Sequence, residues 1–351
     1  MAPSPRTNFV IILGLGLFSV VAADRPYDTY PREQFDRFLP EWNGLIQGIL
    51  QSNCSEVLEA YRTRTSDQNP PGLTYDPTRR VIECVMEHME EFRKLDMAIS
   101  AVLLGLTPTI LQSLACTTLD LAFLSLRRPL LAFLLAVGSP IVSSTRTTQF
   151  QKGVQDVVAK GKRSDVNQRR PLHWSWCLVT LVQYAAACGC VANMVNLSYE
   201  LGVHAMTVIS PRFTHQVALW GILATIVHIC ASAGLRFRVR VEGCGSPTSG
   251  PDFPNALAAL PAWIRDEVVP STYNSPLSLD NLHDGIWFSL LSWAVSVANV
   301  FITLYGTVVL SGLLFFSIKD SLSIVVRYIA SVIVCRAVFV YERTGMGFSP
   351  E

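Results

Sequence analysis

The chain has 351 residues, of which 50% are hydrophobic and only 16% charged, with a mean hydropathy of +0.33 and a formal net charge of +1. Soluble globular chains carry about 25% charged residues, so this composition excludes an ordinary soluble domain and demands lipid-facing surface. The one basic block is flanked by membrane segments and lacks interleaved aromatics, which argues against nucleic-acid binding.

The first 23 residues read as a secretory signal peptide. Arg6 is the single n-region charge, Phe9 to Val21 is an apolar core, and Val21-Ala22-Ala23 precedes Asp24 with the small residues that suit cleavage. An uncleaved anchor is disfavoured, since 13 apolar residues rise only about 20 Å against a hydrocarbon core of roughly 30 Å.

Residues 24–96 are then expected as a small exported helical domain, acidic with 9 Lys+Arg against 14 Asp+Glu. Helical spacing predicts one helix through Trp42, Leu45, Ile46, Ile49, Asn53, Val57 and Tyr61, and a second through Val81, Val85, Met89 and Phe92. Ser66 to Gly72 forms a breaker-rich loop between them. So small a core needs a staple. Cys54 and Cys84, one on each helix, offer a disulfide in an oxidising compartment. Asn53-Cys54-Ser55 is also a glycosylation sequon, and a disulfide at Cys54 would compete with glycan addition to Asn53.

Met97 to Val142 follow, 46 residues with only three charges, Asp120, Arg127 and Arg128. The first part, 97–119, is long enough to span a bilayer, with a kink expected at Pro108. Arg127-Arg128-Pro129 ends it, and positive charge favours the cytosolic side. Pro129 to Val142 rises only about 21 Å as a helix, so a re-entrant hairpin is preferred over a short second span. The hairpin keeps the basic segment 143–172, with 7 Lys+Arg against 2 Asp+Glu, in the cytosol.

Two spans are expected within 173–240: His173 to Val195, entered through Trp174 and Trp176, and Gln216 to Leu235, ending on a basic flank. Asn196-Leu197-Ser198 falls on the exported side but abuts the membrane, so it is expected unmodified. The loop 241–285 is acidic, and Leu257, Leu260, Trp263, Ile264 and Val268 suit either an amphipathic surface helix or a packed cap. Within 286–341 lie two more spans, Ile286 to Ile318 with an interfacial turn and Leu322 to Val340, before a tail at 342–351. The fold class expected is all-α, a polytopic membrane protein with five crossings, or six if the hairpin crosses.

Intramembrane ionisable groups are functional candidates by default. Arg327 and Arg336 lie on opposite faces of one helix, and each is expected to snorkel to its own interface. His228 sits well inside its span, and Gln183, Asn193 and Asn299 are polar residues on neighbouring spans. A polar path through His228, Gln183 and Asn299 competes with ordinary interhelical hydrogen bonding. Cys188-Gly189-Cys190 is neither a redox nor a zinc spacing, and its small neighbours suit close helix packing. Asp280, His283 and Asp284 match no established metal site. No catalytic motif is present, and no cofactor or metal is expected.

Leu103 to Leu111 (LLGLTPTIL), followed by Arg127 to Pro140 (RRPLLAFLLAVGSP), resembles a group of multi-pass membrane proteins from filamentous fungi. The resemblance is best over 80–145. It implies a secretory-pathway membrane protein of fungal source and transfers no site residue. Three functions compete: a non-enzymatic interaction or sensing module of the secretory pathway or plasma membrane, a small-solute transporter or channel, and a membrane-embedded accessory enzyme of fungal secondary metabolism. The partners implied are the lipid bilayer and other membrane or cytosolic proteins.

Overall fold

The computed structural model describes residues 34–63, 77–141, 143, 175–208, 214–242, 262–273, 278–281 and 286–345. The signal peptide, the loop 66–72, most of 143–172 and 241–261, and the residues His283 and Asp284 lie outside the described residues. The fold is all-α, with five helices long and apolar enough to cross a membrane.

The N-terminal domain holds α1 (Asn43–Ser52), α2 (Ser55–Thr63) and α3 (Pro77–Glu87). Two helices were expected; the first breaks at Asn53–Cys54 into α1 and α2. Cys54 is buried and disulfide-bonded to Cys84 on α3, which ties the break to its neighbour. Phe92, expected on the second helix, instead lies in the first turn of the next one and is 77% exposed.

Helix α4 (Glu91–Leu114) carries Pro108 within it and presents Leu95, Ile99, Val102, Leu106 and Ile110 outward at helical spacing. Its other face, with Leu104 and Leu111, is fully buried. The helix stops at Leu114 rather than 119. Thr117 then opens α5 (Thr118–Arg127) with a capping box: its hydroxyl accepts from the Asp120 amide at 3.1 Å, and Asp120 accepts from the Thr117 amide at 3.2 Å. Only Arg128 separates α5 from α6 (Pro129–Gly138). Proline cannot donate to the preceding turn and suits the first helical position, while it drives the residue before it out of the helical region. Arg128 accordingly has ψ 74°, and the chain reverses there. A parallel bridge between Thr117 and Ser143 brings the two feet of this hairpin together.

Four more long helices complete the bundle: α7 (Ser175–Val203), α8 (Gln216–Arg238), α10 (Ile286–Ser311) and α11 (Ile318–Gly345). A short α9 (Ala262–Val268) and a 3-10 turn (Ser271–Tyr273) lie between α8 and α10 in sequence. Contacts along the helices fix their directions. The Ile318 amide donates to Asp96, and Arg336 donates to the Leu114 carbonyl, so α4 and α11 run parallel. Gln183 and Glu200 meet Glu342 and Arg327, so α7 runs against α11. Gly306 abuts Trp220 and Gly234 abuts Leu291, so α8 and α10 are antiparallel.

The ends nearest the N-terminal domain are joined by two-residue strands, Met206–Thr207 with Leu313–Leu314. At the opposite end a second ribbon pairs Val239–Glu242 with Ser278–Asn281. Phe315, with φ 67°, makes the sharp corner that ends the expected span 286–318 and starts α11. Helix α8 is central: among its large apolar side chains only Phe237 is exposed, whereas α4, α7, α10 and α11 each present an apolar outer face. The hairpin α5–α6 is packed within the bundle, nearly every residue of α5 being buried.

Candidate functional site

Arg128 is fully buried, and its surroundings form the most developed polar cluster among the described residues. Its Nε donates to the Glu267 carbonyl at 2.9 Å, and its Nη1 donates to Gln183 Oε1 at 2.5 Å and Glu342 Oε1 at 2.7 Å. Its guanidinium lies 5.4 Å from the Tyr184 ring centroid. Glu342 also accepts from Gln183 Nε2 at 2.6 Å and from the Ser271 amide at 3.0 Å. Each of the four elements that meet here contributes a group: the hairpin tip, α7, α11 and the 262–273 segment.

Glu267 forms the second half. Its Oε1 accepts from the Tyr184 hydroxyl at 2.6 Å and the Leu131 amide at 2.9 Å. Leu131 is in the first turn of α6, where amides lack intrahelical partners and the helix dipole favours negative charge. Burial nonetheless pushes the Glu267 carboxyl above the ordinary carboxylate range, opposed by these hydrogen bonds and by the Arg128 charge. Thr180 adds a bond to the Val268 carbonyl at 2.7 Å. The segment 262–273 is thus a packed cap on the hairpin tip, not a helix lying on a lipid surface.

Arg128 was expected only as a cytosolic stop signal. The structure adds a role that the sequence did not show: the same arginine is the centre of an interhelical lock. Glu342 and Glu267 gave no sequence signal, since each lies near a segment end where charge is ordinary.

The residues of the expected polar path are separated. Gln183 belongs to the Arg128 lock. His228 lines a different space, a cleft of about 50 Å³ between the hairpin and α8. Its walls are mainly Leu121, Phe133, Ala136 and Ile229, with Arg236 toward the hairpin tip. His228 is 2% exposed; the Ile141 backbone faces its ring, but neither ring nitrogen has a hydrogen bond of good geometry among the described residues. Asn299 is buried on α10, and neither of its amide atoms has a hydrogen-bond partner among the described residues. No hydrogen bond joins any two of the three.

The arginines of α11 also depart from expectation. Arg327 does not snorkel alone: its Nη1 lies 2.6 Å from Glu200 Oε2, and its Nε donates to Asn193 Oδ1 at 3.1 Å. Glu200 lies beyond the expected end of this span, because α7 extends eight residues farther, to Val203. Asn196 is on the same helix and donates to Glu200 at 3.0 Å. Arg336 caps the last turn of α4 through the Leu114 carbonyl at 3.0 Å, the favourable position for a cation on a helix dipole.

Close packing around Cys188-Gly189-Cys190 comes from the neighbours of Gly189, not from Gly189, whose Cβ position meets nothing within 4 Å among the described residues. Ala187 and Cys190 are the buried ones, and a Cβ on Gly138 of α6 would lie 2.9 Å from Cys190 Cβ and 3.0 Å from Cys335 Sγ. In the N-terminal domain Asn53 is exposed beside the Cys54–Cys84 disulfide. Cys54, Cys84 and His88 lie close enough to share an ion, but the two sulfurs are bonded to each other. Comparison with protein families, with characterised proteins and with solved structures found no match.

Proposed function

We propose that this chain is a non-enzymatic interaction or sensing module of the secretory pathway or plasma membrane, in which an exported N-terminal domain acts on the membrane bundle. The observation that carries it is a shared core. Met97 of α4, Met206 and Phe315 are buried in the same apolar cluster as Trp42, Ile46 and Val85 of the domain. Phe38 packs edge-on against Phe315 at 5.7 Å, and the Phe315 amide faces Met97 Sδ at 3.3 Å. A tethered domain would have a core of its own and a polar linker. Here a change in the domain is transmitted directly to the corner between α10 and α11.

On this reading residues 1–23 direct export, and the hairpin tip, the basic segment and the C-terminus face the cytosol. The resemblance to fungal membrane proteins supports a fungal source. The test is hydrogen exchange on the full chain in nanodiscs, with and without reduction of Cys54–Cys84. The reading expects faster exchange at 313–318 as well as in the domain. Exchange confined to the domain would refute the coupling.

A second reading, a small-solute transporter or channel, is favoured by the break between α4 and α5 inside the bundle. Irregular backbone at membrane depth occurs where protein or a cavity surrounds it, as in the broken helices of transporters. Flux into liposomes that is unchanged by His228→Ala would remove His228 from that reading.

A further inference from the structure

We infer that Asn53 is an N-glycosylation site whose occupancy is decided by a race with the Cys54–Cys84 disulfide, the glycan being added only to chains in which Cys54 is still a free thiol. The inference rests on the exported placement of the N-terminal domain proposed above.

The sequon Asn53-Cys54-Ser55 occupies the break between α1 and α2. Asn53 and Ser55 are exposed, whereas Cys54 between them is 0% exposed and bonded to Cys84 of α3. Main-chain bonds hold both sides of the break. The Asn53 amide donates to the Ile49 carbonyl at 2.9 Å, and the Cys54 carbonyl accepts from the Leu58 amide at 2.9 Å. Cys84 Sγ lies 3.8 Å from the Asn53 carbonyl oxygen, so the disulfide rests against the backbone of the sequon itself.

A transferase must reach the asparagine amide and the hydroxyl two residues on along one accessible stretch of chain. That stretch cannot leave the surface while its middle residue is buried and cross-linked. The acceptor is therefore the segment before closure, not the folded domain. The reverse order meets no obstacle. The Asn53 side chain is on the solvent side, where its amide oxygen accepts from the Ser52 hydroxyl, so a glycosylated chain can still bury Cys54 and close the bond. Closure prevents glycosylation, but glycosylation does not prevent closure.

The sugar donor is a lipid-linked oligosaccharide pyrophosphate. Asn53 Nδ2 bonds to its anomeric carbon as the bond from that carbon to the phosphate oxygen breaks. The lipid pyrophosphate leaves with the electron pair, and the amide proton passes to a base of the transferase. Two glycoforms of one fold result, in proportions set by the rate of closure.

The experiment expresses the full chain in yeast and removes N-glycans with a peptide N-glycosidase, which leaves an aspartate in place of each glycosylated asparagine for peptide mass spectrometry. Asn53 should be modified in part of the unaltered chains, and those molecules should carry a closed Cys54–Cys84 bond. Occupancy should rise to nearly all chains in Cys84→Ser, and likewise in the unaltered chain made with dithiothreitol in the medium. Ser55→Ala should abolish it. Thr63→Asn, an exposed position followed by Arg64 and Thr65, creates a control sequon without a cysteine, whose occupancy should not respond to Cys84→Ser. Equal occupancy of Asn53 with and without Cys84 overturns the race. If the control is modified while Asn53 stays bare in Cys84→Ser, the inference fails and the exported placement stands. If neither is modified, the exported placement fails as well. Occupancy is set before the domain folds, so a variant that does not fold still decides the matter.

Discussion

Arg128 Nη1 lies 2.7 Å from Glu342 Oε1, across 214 residues of sequence, with both side chains completely buried. A buried ion pair overcomes its desolvation cost only when further hydrogen bonds satisfy both ions. Glu267, Gln183 and Ser271 supply further bonds to both ions here, leaving only Arg128 Nη2 without a hydrogen-bond partner among the described residues. The pair also has a geometric role: it holds the hairpin tip against α11, six residues past the contact between Arg336 and Leu114.

Removing one partner of this pair is expected to be far worse than removing both. Arg128→Met or Glu342→Leu alone leaves a buried uncompensated charge, a loss on the order of 3–5 kcal/mol. The double variant should recover most of it. Unfolding midpoints of the four proteins in one detergent check this, and equal damage in all three variants would contradict the account.

Docking of the 262–273 segment is expected to weaken as pH rises. The folded-state affinity of Glu267 for its proton is raised, chiefly by burial. The stabilisation is therefore fully present below the ordinary carboxylate range and is lost as pH climbs through the raised value. Tyr184 and Arg128 face the carboxyl and oppose the shift, and Glu342 neutralises Arg128 from α11. Protease cleavage within 262–273 should increase over that window in the unaltered chain and become independent of pH there in Glu267→Gln.

Loss of the Cys54–Cys84 disulfide should act on the N-terminal domain first. For a sequence separation of 30 the chain-entropy model gives about 3–4 kcal/mol. Cys54→Ser with Cys84→Ser should make 34–90 sensitive to trypsin at concentrations the oxidised protein resists.

Gly138→Val should push the hairpin away from α7 and α11. Even a Cβ would meet Cys190 and Cys335 at about van der Waals overlap, and overpacking of this kind costs typically 1–3 kcal/mol. Thermal stability should fall, while Gly189→Val, whose Cβ position meets nothing within 4 Å among the described residues, should leave it nearly unchanged.

If each of the five apolar helices crosses the membrane once and the hairpin does not, the two chain ends lie on opposite sides, as the proposed function requires. Glu56→Cys and Thr344→Cys are both at exposed positions. The first should react with an impermeant maleimide in intact cells and the second only after permeabilisation. Reaction of both in intact cells would mean six crossings.

Much of the architecture was legible in the sequence because it rests on local sums. Whether a segment partitions into lipid depends on its own residues, so all five apolar helices could be read, and the Arg-Arg-Pro reversal followed from what proline does to its neighbours. Boundaries were less legible: α4 ends at Leu114 because Thr117 and Asp120 cap a new helix, and α7 runs on to Val203 because Glu200 has a partner in Arg327. The sequence alone determined that Arg128 ends a segment and that Gln183 and His228 are polar residues inside spans. Only the tertiary structure decided that Gln183 joins Arg128 and Glu342 while His228 faces an apolar cleft. Which polar groups meet depends on helix rotation and on contacts between distant segments, and neither leaves a periodic trace in the chain.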